Sequence, residues 1–157
     1  MRLTFILAFL FLITNITSQV PEWQNPEVFA VNKEKHRATF LPYSDPELAV
    51  QDDYNSSPYF QSLNGIWKFK WAAKPADAPA EFYKESYKIS NWADMPVPGN
   101  WEFNGFGIPI YTNITYPFPV NPPFVDNEDN PVGSYRYEFN IPQSWDGRKV
   151  FIHFEGG

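Results

Sequence analysis

Alternating apolar and polar side chains predict β-strands in three places along the chain. Residues 66–71 place three aromatic side chains on one face of a strand, with two lysines and an isoleucine on the other. Residues 134–140 and 148–154 repeat this alternation. The side chains predicted to share the inward faces are Trp67, Phe69, Trp71, Tyr135, Tyr137, Phe139, Val150, Ile152 and Phe154.

The connections between these strands predict an all-β protein of the sandwich type. Residues 142–147 resemble a hairpin connection with a turn at Asp146-Gly147, and residues 95–98 form at most a short edge strand because of their prolines. Three or four strands are fewer than the roughly seven or eight of a complete sandwich. We therefore expect a sandwich that is incomplete at the C-terminus, as in the front piece of a longer protein.

The segments outside these strands are irregular by their composition. Residues 19–60 are polar and interrupted by prolines, which predicts an N-terminal arm lying across a larger body. Within this arm, residues 45–53 can form one helical turn. Residues 72–91 are predicted to form a loop that Phe82 and Tyr83 anchor by packing.

The most unusual stretch of the chain is residues 98–124. Aromatic residues, glycines, prolines and side-chain amides alternate here with almost no charge. The prolines exclude a long helix and disfavour a central strand, while the glycines allow turns that other residues resist. The composition therefore predicts a shaped loop, the kind of segment that often carries function.

The N-terminus has the pattern of a secretory signal peptide. A short basic start is followed by an apolar run that ends at Ile13, too short to span a bilayer, and by the small residues Thr17 and Ser18. We expect residues 1–18 to be removed and the protein to be secreted or periplasmic. The alternative is a buried N-terminal helix.

Composition and motifs exclude several classes of function. The net charge of −6 argues against a nucleic-acid or anionic membrane partner, which would need a basic patch. The 157 residues contain no cysteine, and His36 and His153 lie far apart without the spacing of a zinc site. We therefore expect no metal ligand in this chain, and no phosphate-binding loop or serine triad is visible.

The stretch at residues 98–124 favours sugar binding over these chemistries. An aromatic ring can pack on the C–H face of a pyranose while amides bond its hydroxyls. The residues that supply this mixture are Trp101, Phe103, Asn104, Phe106, Tyr111, Asn113, Tyr116 and Asn121. The competing interpretation is that most of these rings belong to the core. Glu102, Asp126, Glu128 and Asp129 are carboxylates in or near the stretch, but the last three look like a solvated turn.

Several motifs in this chain resemble the start of a glycoside hydrolase family 2 β-galactosidase of the large LacZ type. Leu63-Asn-Gly-Ile-Trp67 and Val97-Pro-Gly-Asn-Trp101 occur throughout that family, including its β-glucuronidases and β-mannosidases. Pro109-Ile-Tyr-Thr-Asn-Ile-Thr-Tyr-Pro117 followed by Asn121-Pro-Pro123 is much more specific to the β-galactosidase branch. The resemblance runs from about Trp23 to the C-terminus.

The resemblance implies a fold and a role for this chain. Residues 61–157 would be the family's sugar-binding domain, a jelly-roll or galactose-binding-like β-sandwich that sends a loop to the active site of a downstream (β/α)8 barrel. Asn113 matches the asparagine that contacts the galactosyl group, and we expect Tyr111, Tyr116 and Trp101 to shape its loop. The catalytic glutamates and the magnesium and sodium ligands of the family lie downstream, so no catalytic residue is expected in this chain.

The sequence thus predicts the N-terminal part of a retaining β-galactosidase that hydrolyses terminal non-reducing β-D-galactose residues. Its expected partners are a β-galactoside and the barrel of the same protein, and a homo-oligomer remains open. The alternatives are a stand-alone carbohydrate-binding module without hydrolase activity and a structural jelly-roll used only for subunit contacts.

Overall fold

The computed structural model of the chain describes residues 20–35, 38–110, 113 and 118–155. Within these ranges, a three-stranded antiparallel sheet is formed by β1 (Gly65–Ala72), β2 (Ala93–Val97) and β3 (Val132–Arg136). The strand order is β2-β1-β3, so β1 is central and the predicted short edge strand is confirmed as β2. Helices are few: α1 (Pro46–Gln51) and the 3-10 turns Glu22–Gln24, Tyr54–Ser56, Pro75–Asp77, Glu102–Asn104 and Gln143–Trp145.

One face of β1 carries the aromatic core, as its alternation predicts. Phe69 and Met95 are 0% exposed, and Trp67 faces Met95 in the register of β1 with β2. Tyr135 lies opposite Phe69 on β3, with their ring centroids 4.7 Å apart. Burial of these large side chains is the main favourable term for a sheet of this size.

The opposite face of the sheet is polar and is bridged by charged side chains. Lys68 on β1 pairs with Asp94 on β2 at 2.6 Å. Arg136 on β3 points its Nη1 at three backbone carbonyls of the loop that follows β1, at residues 82, 84 and 87. These bonds hold the loop against the sheet.

Only one of the two predicted anchors of the loop at residues 72–91 is confirmed. Phe82 is half-buried, with its ring centroid 5.9 Å from that of Trp92, a buried residue just before β2. Tyr83 is 73% exposed, so its prediction as an anchor is wrong. Residues 80–83 form a turn in which Glu81 has φ of +56°, and only Phe82 of the two side chains faces the protein.

The helical turn predicted within residues 45–53 is confirmed as α1. The Asp45 side chain accepts a hydrogen bond from the Leu48 N–H at 2.9 Å, and Pro46 occupies the first helical position. Asp52 ends the helix in the left-handed conformation. Both ends therefore carry local signals, an aspartate N-cap followed by proline and a left-handed C-cap.

The rest of the segment before β1 is described from residue 20 onward and is irregular and mostly exposed. It contacts the later chain through Gln24, whose Nε2 donates to the Val125 carbonyl at 3.3 Å and to Asn127 Oδ1 at 2.6 Å. No helix in the described ranges is long and apolar enough to cross a bilayer. The predicted signal peptide lies outside the described residues.

The predicted strand at residues 134–140 is shifted in the structure. β3 begins at Val132 and ends at Arg136, where its ladder with β1 stops. Tyr137 and Phe139 continue beyond the ladder, and Tyr137 still stacks on Trp67 at 5.0 Å with an interplanar angle of 13°. Side-chain alternation thus extends further than the backbone pairing that defines a strand.

The predicted strand at 148–154 is wrong for the described chain, and so is the hairpin, but the predicted turn at Asp146-Gly147 is confirmed: the Arg148 amide donates to the Trp145 carbonyl at 3.0 Å. Residues 143–145 form a 3-10 turn, and Trp145 Nε1 donates to the Pro58 carbonyl at 2.8 Å. This contact draws the segment toward residues 58–59 rather than toward β3. Residues 149–154 therefore form no strand, and the predicted inward side chain of Phe154 is 71% exposed.

Candidate functional site

Residues 98–110, which we call the covering loop, lie over the aromatic face of the sheet. The Trp101 carbonyl accepts hydrogen bonds from the amides of Asn104 and Phe106, at 2.9 and 3.1 Å. Gly105 closes this turn with φ of +88°, a conformation that favours glycine. The turn places the Phe106 ring edge-on to Phe69, with a centroid distance of 4.9 Å.

A second contact of the covering loop lies at Gly107, over the edge of Trp71. A Cβ built on Gly107 would lie 3.4 Å from Trp71 Nε1, so the backbone passes close to the N–H edge of the indole. The Nε1 atom is buried and has no hydrogen-bond partner within the described chain. An unpaired buried donor is costly, so this indole is the least satisfied polar group beneath the loop.

The ring of Trp101 supplies a third contact, against β3. Its centroid lies 6.0 Å from that of Phe69, and the ring edge lies over the backbone of Gly133. A Cβ built on Gly133 would lie 2.3 Å from the nearest Trp101 ring carbon. The covering loop therefore sits on the sheet through Trp101, Phe106 and Gly107.

Tyr135 lies beside this loop as a neutral phenol. Burial, and then the negative charge of Glu102, raise the pKa of Tyr135 above its usual value of 10.0. Both causes disfavour the phenolate, so the hydroxyl keeps its proton at neutral pH. The covering loop and β3 thus bring together one carboxylate and one neutral hydroxyl.

The residues that follow the stretch contact Gln24 of the N-terminal segment and Lys74 of the loop after β1. The Phe124 amide donates to the Asn121 carbonyl at 2.8 Å, which forms a turn. Asp126 Oδ1 accepts from the Glu128 amide at 2.7 Å, and the Glu128 carboxylate pairs with Lys74 at 2.6 Å. These carboxylates stabilise a surface turn, as the sequence indicates.

The structure describes two of the four predicted site residues. Trp101 is half-buried and Asn113 is exposed in a turn, while Tyr111 and Tyr116 lie outside the described residues.

Asn104 and Asn121 are also exposed, so the amides of the stretch lie at the surface. Of the rings in the predicted mixture, Trp101 and Phe106 pack on the core and Phe103 is exposed.

The described residues do not supply a metal site. No group of three or more histidine, aspartate or glutamate side chains comes together in this part of the chain. His153 is exposed, and His36 lies outside the described residues. The donor set here therefore does not fit magnesium, which prefers several oxygen ligands in octahedral geometry.

Sequence reasoning missed three residues that shape this surface: Gly133, Trp71 as an unpaired donor, and Gln24. Gly133 carries a recognisable signal, because a glycine inside a strand often marks the close approach of another group. Gln24 carries none, since its partners at residues 125 and 127 lie about a hundred positions away.

Residues 60–157, which include the sheet and the covering loop, match a family model described as glycosyl hydrolases family 2, sugar binding domain. The chain belongs to glycosyl hydrolase family 2. Its relatives include the β-galactosidases of Priestia megaterium (38% identical over 141 residues), Psychromonas ingrahamii (38% over 135) and Enterobacter cloacae (40% over 124). These alignments cover 87%, 86% and 79% of this chain. The chain spans 14%, 13% and 12% of the length of these relatives.

Proposed function

We propose that this chain is the N-terminal part of an exported, retaining β-galactosidase that acts on terminal non-reducing β-D-galactose residues. The observation that carries the proposal is the sugar-binding-domain match over residues 60–157, together with β-galactosidase relatives at 36–40% identity. Residues 61–157 would form the jelly-roll domain, residues 19–60 an arm across it, and residues 1–18 a signal peptide. The barrel with its two carboxylates, and its magnesium and sodium, would be supplied by the rest of the protein.

In this proposal the chain contributes positioning rather than acid–base chemistry. Asn113 is exposed in a turn three residues beyond Ile110, so it lies at the surface of the chain. The covering loop that precedes it is fixed to the sheet by Trp101, Phe106 and Gly107. Hydrogen bonds to sugar hydroxyls that strengthen in the transition state accelerate glycoside hydrolysis.

We expect Asn113→Ala in the full-length enzyme to lower kcat/KM for a β-galactoside. The loss of transition-state stabilisation should be about 1–3 kcal/mol, because a partner hydroxyl or protein group is left unpaired. Steady-state kinetics with an aryl β-galactoside measures this loss. Asn140→Ala, which removes an exposed amide just beyond β3, is the matched control and should leave kcat/KM unchanged. Wild-type kinetics for Asn113→Ala would refute the assigned role.

The 157-residue chain by itself is expected to show no galactoside hydrolysis, because the catalytic carboxylates would lie in the barrel and Asp126 and Glu128 are engaged in a turn and an ion pair. An aryl-galactoside assay at high protein concentration tests this. Hydrolysis above the buffer rate would place catalytic groups in this chain. Sugar binding by a full-length protein that lacks hydrolysis would instead favour a carbohydrate-binding module.

A further inference from the structure

Gly133 lies inside β3 at a position where glycine is not required by the backbone. Its φ lies outside the left-handed region, and it pairs with Trp71 in the regular register of the sheet. A glycine inside a strand weakens the strand and leaves no side chain to pack. The residue therefore needs another explanation, which the space around its Cα provides.

That space is filled by two aromatic rings. A Cβ at Gly133 would lie 2.3 and 2.6 Å from two carbons of the Trp101 ring and 2.7 Å from a ring carbon of Phe69. Carbon atoms in favourable contact are about 3.5–4.0 Å apart, so an added methyl group would displace a ring by about 1 Å or more. Phe69 is fully buried and rigidly surrounded, whereas Trp101 is half-buried at the surface, so Trp101 is the ring that moves.

Trp101 in turn fixes the covering loop. Its carbonyl accepts hydrogen bonds from the amides of Asn104 and Phe106. A displacement of Trp101 therefore moves the whole turn. The loop runs on without a described strand or helix to Ile110, three residues before Asn113. The position of the Trp101 ring therefore influences where Asn113 is presented.

We propose that Gly133 is a positioning residue for the sugar site: its missing side chain admits the Trp101 ring, and the seated ring sets the position of the covering loop and of Asn113. The link between the position of the Trp101 ring and catalysis rests on the proposed function. Gly133 itself touches no substrate in this proposal.

The test compares Gly133→Ala with Gly147→Ala in the full-length enzyme. Gly147 has φ of +75° and open space around it, so its alanine variant is strained without touching Trp101. We expect Gly133→Ala to lower kcat/KM for an aryl β-galactoside about ten- to a hundredfold, the effect of a misplacement near 1 Å. Gly147→Ala should lose stability but stay within about twofold of wild-type kcat/KM.

Two further variants separate positioning from simple loss of folding. Phe is shorter than Trp and lacks the ring carbons nearest Gly133, so Trp101→Phe combined with Gly133→Ala should recover most of the lost kcat/KM. In the Asn113→Ala background, Gly133→Ala should cost no more than about a further twofold, because the misplaced amide is already gone. A crystal structure of Gly133→Ala should show the Trp101 ring displaced.

Each outcome decides between the proposals. If Asn113→Ala lowers activity while Gly133→Ala matches Gly147→Ala, the positioning role is wrong and the proposed function stands. If Asn113→Ala has no effect, the assigned sugar contact is wrong. The crystal structure of Gly133→Ala then still tests whether Gly133 determines the position of the Trp101 ring. If Gly133→Ala does not fold, the double variant with Trp101→Phe should fold, and its failure to fold would overturn the proposal.

Discussion

Phe69→Ala is expected to lower the free energy of unfolding by about 3–5 kcal/mol, the cost of removing a large buried ring and leaving a cavity. Phe69 is fully buried on the central strand. The rings of Tyr135, Phe106 and Trp101 surround it at centroid distances of 4.7, 4.9 and 6.0 Å. Phe69 joins the core formed by the three strands to the covering loop. Few neighbouring side chains can therefore move into the cavity that alanine would leave. Urea denaturation followed by tryptophan fluorescence measures the change.

The matched control for this variant lies on the same strand. Ile66 is 60% exposed, so Ile66→Ala should cost no more than about 1 kcal/mol. Equal losses for the two variants would show that Phe69 is not the centre of the core.

Arg136→Met is expected to lower stability by about 1.5–3 kcal/mol, the range for hydrogen bonds to a charged group. The guanidinium donates from Nη1 to the carbonyls of residues 82, 84 and 87, at 3.4, 3.2 and 3.1 Å. Methionine keeps much of the apolar stem and removes every donor, so these carbonyls lose their shared partner. Residues 81–92 should then exchange amide hydrogens faster in hydrogen–deuterium exchange read by mass spectrometry.

Arg148→Met is the control for this second variant. The Arg148 guanidinium lies 4.6 Å from the centroid of the Tyr59 ring, on an exposed side chain, and such contacts contribute about 0.5–1 kcal/mol. Exchange at residues 81–92 should be unchanged in Arg148→Met. An unchanged exchange rate in Arg136→Met would show that the loop is held by Phe82 and Trp92 rather than by the guanidinium.

The central and edge strands could be predicted from sequence because their signals are local. Trp67, Phe69 and Trp71 alternate with polar residues, and that alternation alone identifies the buried face of β1. The prolines of residues 95–98 likewise indicate an edge position for β2. The cap of α1 at Asp45 is equally local.

Features that depend on pairing between distant residues could not be predicted in this way. Residues 148–154 alternate as well as β1 does, but a strand also needs a backbone partner, and the Trp145 bond to Pro58 leads this segment elsewhere. The same holds for the surface around the candidate site. The motif at residues 109–117 points to Asn113, whereas the fit of Trp101 to Gly133 joins residues on different elements and follows only from the three-dimensional structure.

Pro96 directs how this sheet can grow. It lies opposite Ile66 in β2, an edge strand, and a proline there has no amide hydrogen to offer to a neighbouring strand. An added strand at that edge would lack a ladder bond, which protects the edge from unwanted association. The free edge of β3 contains no proline. Any strand that extends this sheet, from the same polypeptide or from another, is therefore expected to pair with β3 rather than with β2.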